Sequence, residues 1–422
     1  GNIGKNLNNK NYQNITSCLL CGSTNLKKIF SVDEVCLTGY FPLKNENDPI
    51  KTPVSLVKCT SCNNVQAQEL VEADLMFRDY WYRSSTTGTM RDHLKDIVER
   101  IIKPGGVILD IGSNDGTLLD IAEQKGMEVW GVEPSDAIKD APFNIKKNTV
   151  NTFFGSRECD QFLQKTKVKF DVITAISMFY DVSEPLKFIE KARDLLTPDG
   201  LILIEVNYAK SFFERQNIDM LGQEHLIYYF IETFSDLISK ANLFINDAYL
   251  TDMNGGNITF TISRTDKKSE KYLALTNEEK SWMETFNFKK FEGIVRKGFN
   301  KFKKEVISLS ESKTIKVLGA STRGAMIIQM LELDNKVITT AVDLQQNKVG
   351  RRIPGTNIVI ELDGEHDIPD YYLVMPYQFR TEIISRYLDF MKSGGGLLFY
   401  RPKQEIITYD NKIKKIKYTP IA

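Results

Sequence analysis

The chain has 422 residues, with 55 basic side chains against 55 acidic ones and therefore no net charge. Its length implies about three domains, and the even charge leaves no overall basic field for nucleic acid or an anionic membrane, so neither partner is expected. No apolar run reaches the roughly 18 residues of a membrane span, and the polar opening GNIGKNLNNKNYQN has no signal region and reads as a flexible arm, so a cytoplasmic protein is expected.

Four of the six cysteines fall as two Cys-x-x-Cys knuckles, Cys18 with Cys21 and Cys59 with Cys62. Two such knuckles can place four thiolates at the corners of a tetrahedron around one Zn2+. Redox or coincidental pairing is the alternative, and disulfides are the weaker explanation in the reducing compartment expected here. Four thiolates leave no open coordination position, so the zinc is expected to be structural, to hold a small domain over residues 1–80, and to stand apart from the chemistry. Cys36 and Cys159 are isolated and read as ordinary buried thiols.

The strongest chemical signal is VILDIGSNDGTLL, residues 107–119, where an apolar strand runs into a glycine turn and then a helix. Three residues separate Gly112 from Gly116, unlike the closer glycines of a G-x-G-x-x-G dinucleotide loop. Asp110 and the D-x-G-x-x-x-G spacing resemble the first motif of class I S-adenosylmethionine (SAM) methyltransferases. A second strand ends on Glu133, placed to accept both ribose hydroxyls. A third, Phe170 to Ser177, is followed by a helix. Then comes LLTPDGLILIE, residues 195–205, a helix end broken by Pro198 and Gly200 before a buried strand, which is similar to the L-x-P-G-G-x-L-x-x-E region of the same superfamily. The expected cofactor residues are Asp110, Gly112, Asn114, Asp115, Gly116, Glu133, Phe153 and Ser177, in a Rossmann-like domain over 81–265. Phe153 and Phe154 read either as flanking the adenine or as core.

The stretch GQEHLIYYF, residues 222–230, holds one of only three histidines beside a carboxylate and among aromatics. By itself it reads as a tuned proton acceptor or as a polar patch at a helix start with core tyrosines. After Arg264 the sequence becomes charged and helical from Lys267 through Lys304. It then enters a second glycine-loop unit, IKVLGASTRG, followed by a helix and a strand ending at Asp343. This unit, 266–422, is expected to be a second Rossmann-like fold. Its loop reads either as an anion-binding helix N-terminus or as a degenerate nucleotide fold kept as scaffold.

The order of zinc knuckles, SAM domain and C-terminal G-A-S-T-[KR]-G domain resembles the sugar C-methyltransferases that act on nucleotide-linked 4-keto deoxysugars. Matching stretches run from about Cys18 onward and include Tyr80 to Ser85, Met90 with His93, Glu224-His225-Leu226 with Tyr228-Tyr229, Gly255-Gly256, Asn347 to Gly350, Pro354-Gly355-Thr356 and Pro376 to Arg380. The resemblance implies an α/β protein of three domains that transfers a methyl group to a carbon through an enolate. It implies His225 as base, Glu224 as its orienter or a sugar ligand, and Tyr80 or Tyr82 as donor to the ketone oxygen. Tyr228, Ser321, Thr322, Arg323, Lys348 and Arg380 are the matching candidates for holding the substrate.

Three positions depart from the family pattern. Gly222 stands where a tyrosine is usual, Asp181 where a histidine is usual, and Asn254-Gly-Gly-Asn257 replaces His-Gly-Gly-Ser. Asp181 thereby becomes a further catalytic candidate. O- or N-methylation of a related sugar or phosphorylated metabolite is the nearest rival function, and a SAM- or glycan-binding module without turnover is the third.

Overall fold

The computed structural model describes residues 11–77 and 88–421. The chain forms two compact units: Gly1–Lys28, Leu56–Phe212 and Gln223–Phe286 make one, and Ile29–Ser55, Phe213–Gly222 and Asn287–Ala422 the other.

The first unit is built on a seven-stranded sheet. Strand Val107–Ile111 pairs in parallel with Glu128–Val132 on one side and with Phe170–Ile176 on the other. Thr149–Val150 lies beyond Glu128–Val132, and Leu196–Asn207 beyond Phe170–Ile176. Asn257–Ser263 then pairs antiparallel with Leu196–Asn207, and Phe244–Thr251 closes the edge. Interior parallel strands are buried on both faces, so they are near-continuous apolar runs.

Alternate residues divide between two cores. Ile108, Val129, Val172 and Leu203 pack with Leu94, Ile97 and Val98 of helix Gly88–Ile101 and with Leu118 and Ala122 of helix Thr117–Gln124. Leu109, Ile111, Ile173, Ile202 and Ile204 face the opposite core, with Leu163, Ile189 and Phe234 from helices Arg157–Thr166, Pro185–Asp194 and Ile231–Lys240. Where the sequence leads one to expect a helix end at Pro198 to Gly200, the helix stops at Asp194. Thr197 to Gly200 instead form an irregularity at the start of strand Leu196–Asn207, because proline and glycine break the ladder without ending the strand.

The cysteine knuckles precede this sheet. Each reverses on a residue with positive φ, Gly22 at 78° and Asn63 at 70°, the left-handed conformation that glycine and asparagine adopt at least cost. Directly after the second knuckle, strand Val65–Ala67 pairs antiparallel with Ile227–Tyr228.

The second unit carries its own seven-stranded sheet. In spatial order its strands are Ile360–Leu362, Ala341–Asp343, Ile315–Leu318, Tyr371–Val374, Gly396–Phe399, Glu405–Asp410 and Lys415–Pro420; the first five are parallel and the last two antiparallel. The charged stretch after Arg264 forms two helices: Glu270–Thr285, which belongs to the first unit, and Phe288–Ser310, which belongs to the second and is capped by Asn287, whose side chain accepts from the Lys289 N–H. Segment Phe213–Gly222 belongs to this second unit although it is flanked in sequence by the first. Phe213 packs edge-on against Phe288 and Phe291, with ring centroids 5.0 and 4.9 Å away.

Candidate active site

In an open parallel sheet, ligands sit outside the carboxyl ends of the strands where the strand order reverses. In the first unit that point lies between Val107–Ile111 and Phe170–Ile176. The Gly112–Gly116 loop leaves the first of these strands and Ser177 the second. Gly112 and Gly116 both have φ 78°. A Cβ on Gly112 would lie 2.8 Å from Cγ of Met178, and one on Gly116 would lie 2.7 Å from Cγ2 of Ile145. The loop therefore requires glycine at both ends.

One strand further out, Oε1 of Glu133 meets this loop, accepting the Asn114 N–H at 2.8 Å, while Oε2 accepts the N–H of Ser135, two residues on, at 2.7 Å. A carboxylate has about four acceptor sites, so each oxygen retains capacity for a ribose hydroxyl. Asp115 caps the following helix turn, its Oδ1 accepting from the N–H and hydroxyl of Thr117. Asp110 is buried, which raises its carboxyl to about 7. The 2.7 Å bond from the Thr174 hydroxyl opposes that rise and the charge of Glu133 adds to it. Asn151 donates to the carbonyls of Glu133 and Ser135 and fixes the turn beyond the acid. The two phenylalanines part company: Phe154 packs on Phe188 in the core, whereas Phe153 meets Phe77 edge-on at 6.4 Å.

These residues suit SAM. The glycine cradle is too tight for any Cβ, and Glu133 offers acceptors suited to a diol. Replacing Glu133 with Ala should weaken SAM binding at least tenfold by calorimetry, since hydrogen bonds to a charged group are worth about 1.5 to 3 kcal/mol each and two backbone N–H groups lose their acceptor. Glu133 to Gln should lose less, and unchanged affinity in the Ala variant would remove Glu133 from the cofactor site.

Beyond Ser177 the chain turns through Phe179–Asp181. The Leu226 N–H donates to the Tyr180 carbonyl at 3.0 Å, and the Ala67 N–H donates to the Leu226 carbonyl at 2.7 Å, so the His225 segment is held from both sides. His225 is 2% exposed and stacks on Tyr228, centroids 3.7 Å apart, with Tyr180 tilted against it at 4.4 Å. Desolvation raises the Glu224 carboxyl. It raises Asp181 well above the usual range, and the charge of Glu224 raises Asp181 further. Burial and the same two charges raise the Tyr228 hydroxyl. Asp181, Glu224, His225 and Tyr228 thus form one group. Oδ1 of Asp181 and the Tyr228 hydroxyl have no hydrogen-bond partner among the described residues. Tyr80 and Tyr82 lie outside the described residues.

A half-buried histidine, His93, pairs with the buried carboxylate of Glu205. Nε2 of His93 lies 2.7 Å from Oε2 of Glu205, and the Asn257 amide donates to Oε1 at 2.6 Å. Burial pulls the His93 pKa down, but the hydrogen bond and charge of Glu205, with the charge of Asp96, outweigh it and leave a net rise. The signal in the sequence was a carboxylate at the end of the apolar strand LILIE, which must find a partner when buried.

The substrate candidates of the second unit make local bonds. Ser321 caps helix Thr322–Met330 by accepting the Gly324 N–H. Arg323 pairs with Asp219 and donates to the Tyr377 hydroxyl at 2.9 Å. Lys348 is buried under the loop, where its Nζ donates to the Ala320 carbonyl at 2.8 Å; desolvation lowers its pKa and the charge of Asp343 partly restores it. Arg380 pairs with Glu405 and lies over the Phe399 ring.

The Sγ atoms of Cys18, Cys21, Cys59 and Cys62 all lie within 4.8 Å of one another, with 3.6 Å across the pairs Cys18 to Cys62 and Cys21 to Cys59. Zn–S bonds of about 2.3 Å would place tetrahedral sulfurs about 3.8 Å apart, so the cluster fits a metal of that kind. The Leu20 N–H and the Asn64 amide point at Sγ of Cys18. Burial raises Cys36 and Cys159 to about 11, as inert thiols require.

The family model described as "Methyltransferase domain" matches residues 82–245, and the one described as "C-methyltransferase C-terminal domain" matches residues 252–402. The chain is a SAM-dependent methyltransferase. It is 24% identical over 418 residues to C-methyltransferase NovU of Streptomyces niveus, covering 94% of this chain and 98% of that one. A ubiquinone biosynthesis O-methyltransferase of Coxiella burnetii is 26% identical over 145 residues, 32% of this chain and 60% of the relative. Among solved structures, the CcbJ methyltransferase from Streptomyces caelestis aligns over 44% of this chain and 93% of its own, at 14% identity and a TM-score of 0.33.

Proposed function

We propose that the protein methylates a carbon of a nucleotide-linked keto-deoxysugar, next to the ketone, through an enolate, and that the Cys18, Cys21, Cys59 and Cys62 cluster holds structural Zn2+. The observation that carries the reading is the buried His225 stacked on the buried Tyr228, with the carboxyls of the half-buried Asp181 and Glu224 in the same group. It follows directly on the Ser177–Met178 wall of the cofactor crevice and contains polar atoms with no partner among the described residues. Bound SAM supplies an electrophilic methyl group. Gly112, Gly116 and Glu133 hold the cofactor, and Asp110, Asn114 and Asp115 shape the loop around it.

An imidazole nitrogen of His225 takes the proton from the carbon next to the ketone. Stacking on Tyr228 fixes the ring plane, and Glu224 orients the ring or binds the sugar. A donor to the ketone oxygen is required as enolate charge grows, a role suited to Tyr80, Tyr82 or Tyr228. Ser321, Thr322, Lys348 and Arg380 bind the nucleotide part, as does Arg323, with its guanidinium already paired to Asp219. Residues 1–80, 81–265 and 266–422 divide these tasks into metal, cofactor and substrate segments.

The test is turnover of a panel of nucleotide-linked keto sugars in deuterated water. Mass spectrometry should find the methyl group on carbon and deuterium exchanged into the position next to the ketone. Methyl on oxygen or nitrogen without exchange would instead establish the rival reaction, which the change from histidine to Asp181 favours.

The raised carboxyls also make stability depend on pH. A folded-state pKa above the unfolded value stabilises fully below about pH 4, the unfolded value, and that contribution is lost as pH rises through the folded pKa. Asp181 to Asn has no proton to lose, so its thermal midpoint should fall less than that of the wild type between about pH 4 and the raised folded value. Parallel melting profiles would show that Asp181 titrates normally.

A further inference from the structure

The pair of His93 and Glu205 lies outside the proton-handling group, and the mechanism above does not use it. Glu205 is fully buried. A charge so placed must be compensated, and His93 on helix Gly88–Ile101 and Asn257 on strand Asn257–Ser263 each supply a short bond. The same two residues lead to the cofactor crevice. The Glu205 carbonyl accepts the Ser177 N–H at 2.9 Å, and the Asn257 amide reaches the Ser177 hydroxyl at 3.4 Å. Asn207 ties the other side of Asn257, donating to the carbonyls of Asn254 and Gly256 and to Oδ1 of Asn257.

Ser177 has φ 55°. A residue other than glycine keeps that conformation only where its surroundings over-determine it. The next residue, Met178, closes over Gly112, so the conformation of Ser177 sets how far the second wall of the crevice stands from the glycine loop.

We propose that His93 is a positioning residue for SAM, acting through Glu205 and Asn257 on Ser177 to fix the width of the cofactor crevice. The chain of contacts crosses from a helix that carries no cofactor residue to the loop at the reversal of strand order. Its effect falls on cofactor affinity and not on proton removal, so it is independent of which acceptor is methylated.

The experiment uses the full chain without acceptor. S-adenosylhomocysteine is titrated calorimetrically into wild type, H93A, H93Q and N257A, and amide hydrogen exchange of the cofactor-free proteins is followed across residues 177–179. H93A and N257A should each bind at least tenfold more weakly and exchange at least tenfold faster there, with exchange in the second unit unchanged. H93Q, whose amide can donate to Glu205 from nearly the position of Nε2, should return to within about threefold of wild type. Wild-type affinity in both H93A and N257A overturns the proposal, as does a loss in folded H93A that glutamine does not restore. If H93A does not fold, the affinity and exchange of N257A decide. An acceptor that proves not to be a sugar leaves every one of these readings in force.

Discussion

Replacing His225 with Asn should lower turnover about a hundredfold or more while SAM affinity stays near wild type. General-base catalysis typically contributes that factor, and the Asn114 and Ser135 bonds to Glu133 do not involve His225. Asparagine keeps a polar side chain against Tyr228 but removes the basic nitrogen. Glu224 to Gln should cost less if its carboxylate only orients the ring. If His225 and Glu224 are only packing, the Asn variant will melt earlier and bind substrate less well yet reach full turnover at saturation. That outcome would move the base to Asp181, whose carboxyl is shifted upward by burial and by the charge of Glu224.

The second large effect is expected at Cys59. The wild type should carry one zinc per chain, and serine at this position should bring the metal content well below that. Structural zinc contributes about 10 to 16 kcal/mol in small zinc-folded peptides, and that binding energy is folding energy. Three thiolates and a hydroxyl leave the knuckles to open. Elemental analysis of folded wild-type protein that finds no zinc would dispose of the site.

The two clearest sites were legible because each is a local pattern. The glycine loop needs Gly112 and Gly116 at fixed spacing for steric reasons, and four thiolates in two knuckles have few other uses. The parts that stayed hidden depend on long-range pairing. The sequence shows His93 and Glu205 but not that helix Gly88–Ile101 delivers one to the other. It shows Arg323 in a glycine loop that could hold an anion, but not that Asp219, more than a hundred residues earlier, supplies the negative charge. The assignment of Phe213–Gly222 to the second unit was equally invisible, because local composition carries no record of which sheet a connecting segment joins.

If the four cysteines hold zinc as proposed, the pairing of Val65–Ala67 with Ile227–Tyr228 gives that metal a role that a distant clamp would not have. The strand that leaves the second knuckle also holds the residue after His225, through the bond from the Ala67 N–H to the Leu226 carbonyl. The crevice for SAM is made by other strands. Protein produced in zinc-starved cells should therefore divide its two competences, binding S-adenosylhomocysteine with little loss while remaining catalytically silent until zinc is restored. Metal supply would then govern how much of the translated enzyme is active, and activity that returns in proportion to zinc added to such a preparation is the result to look for.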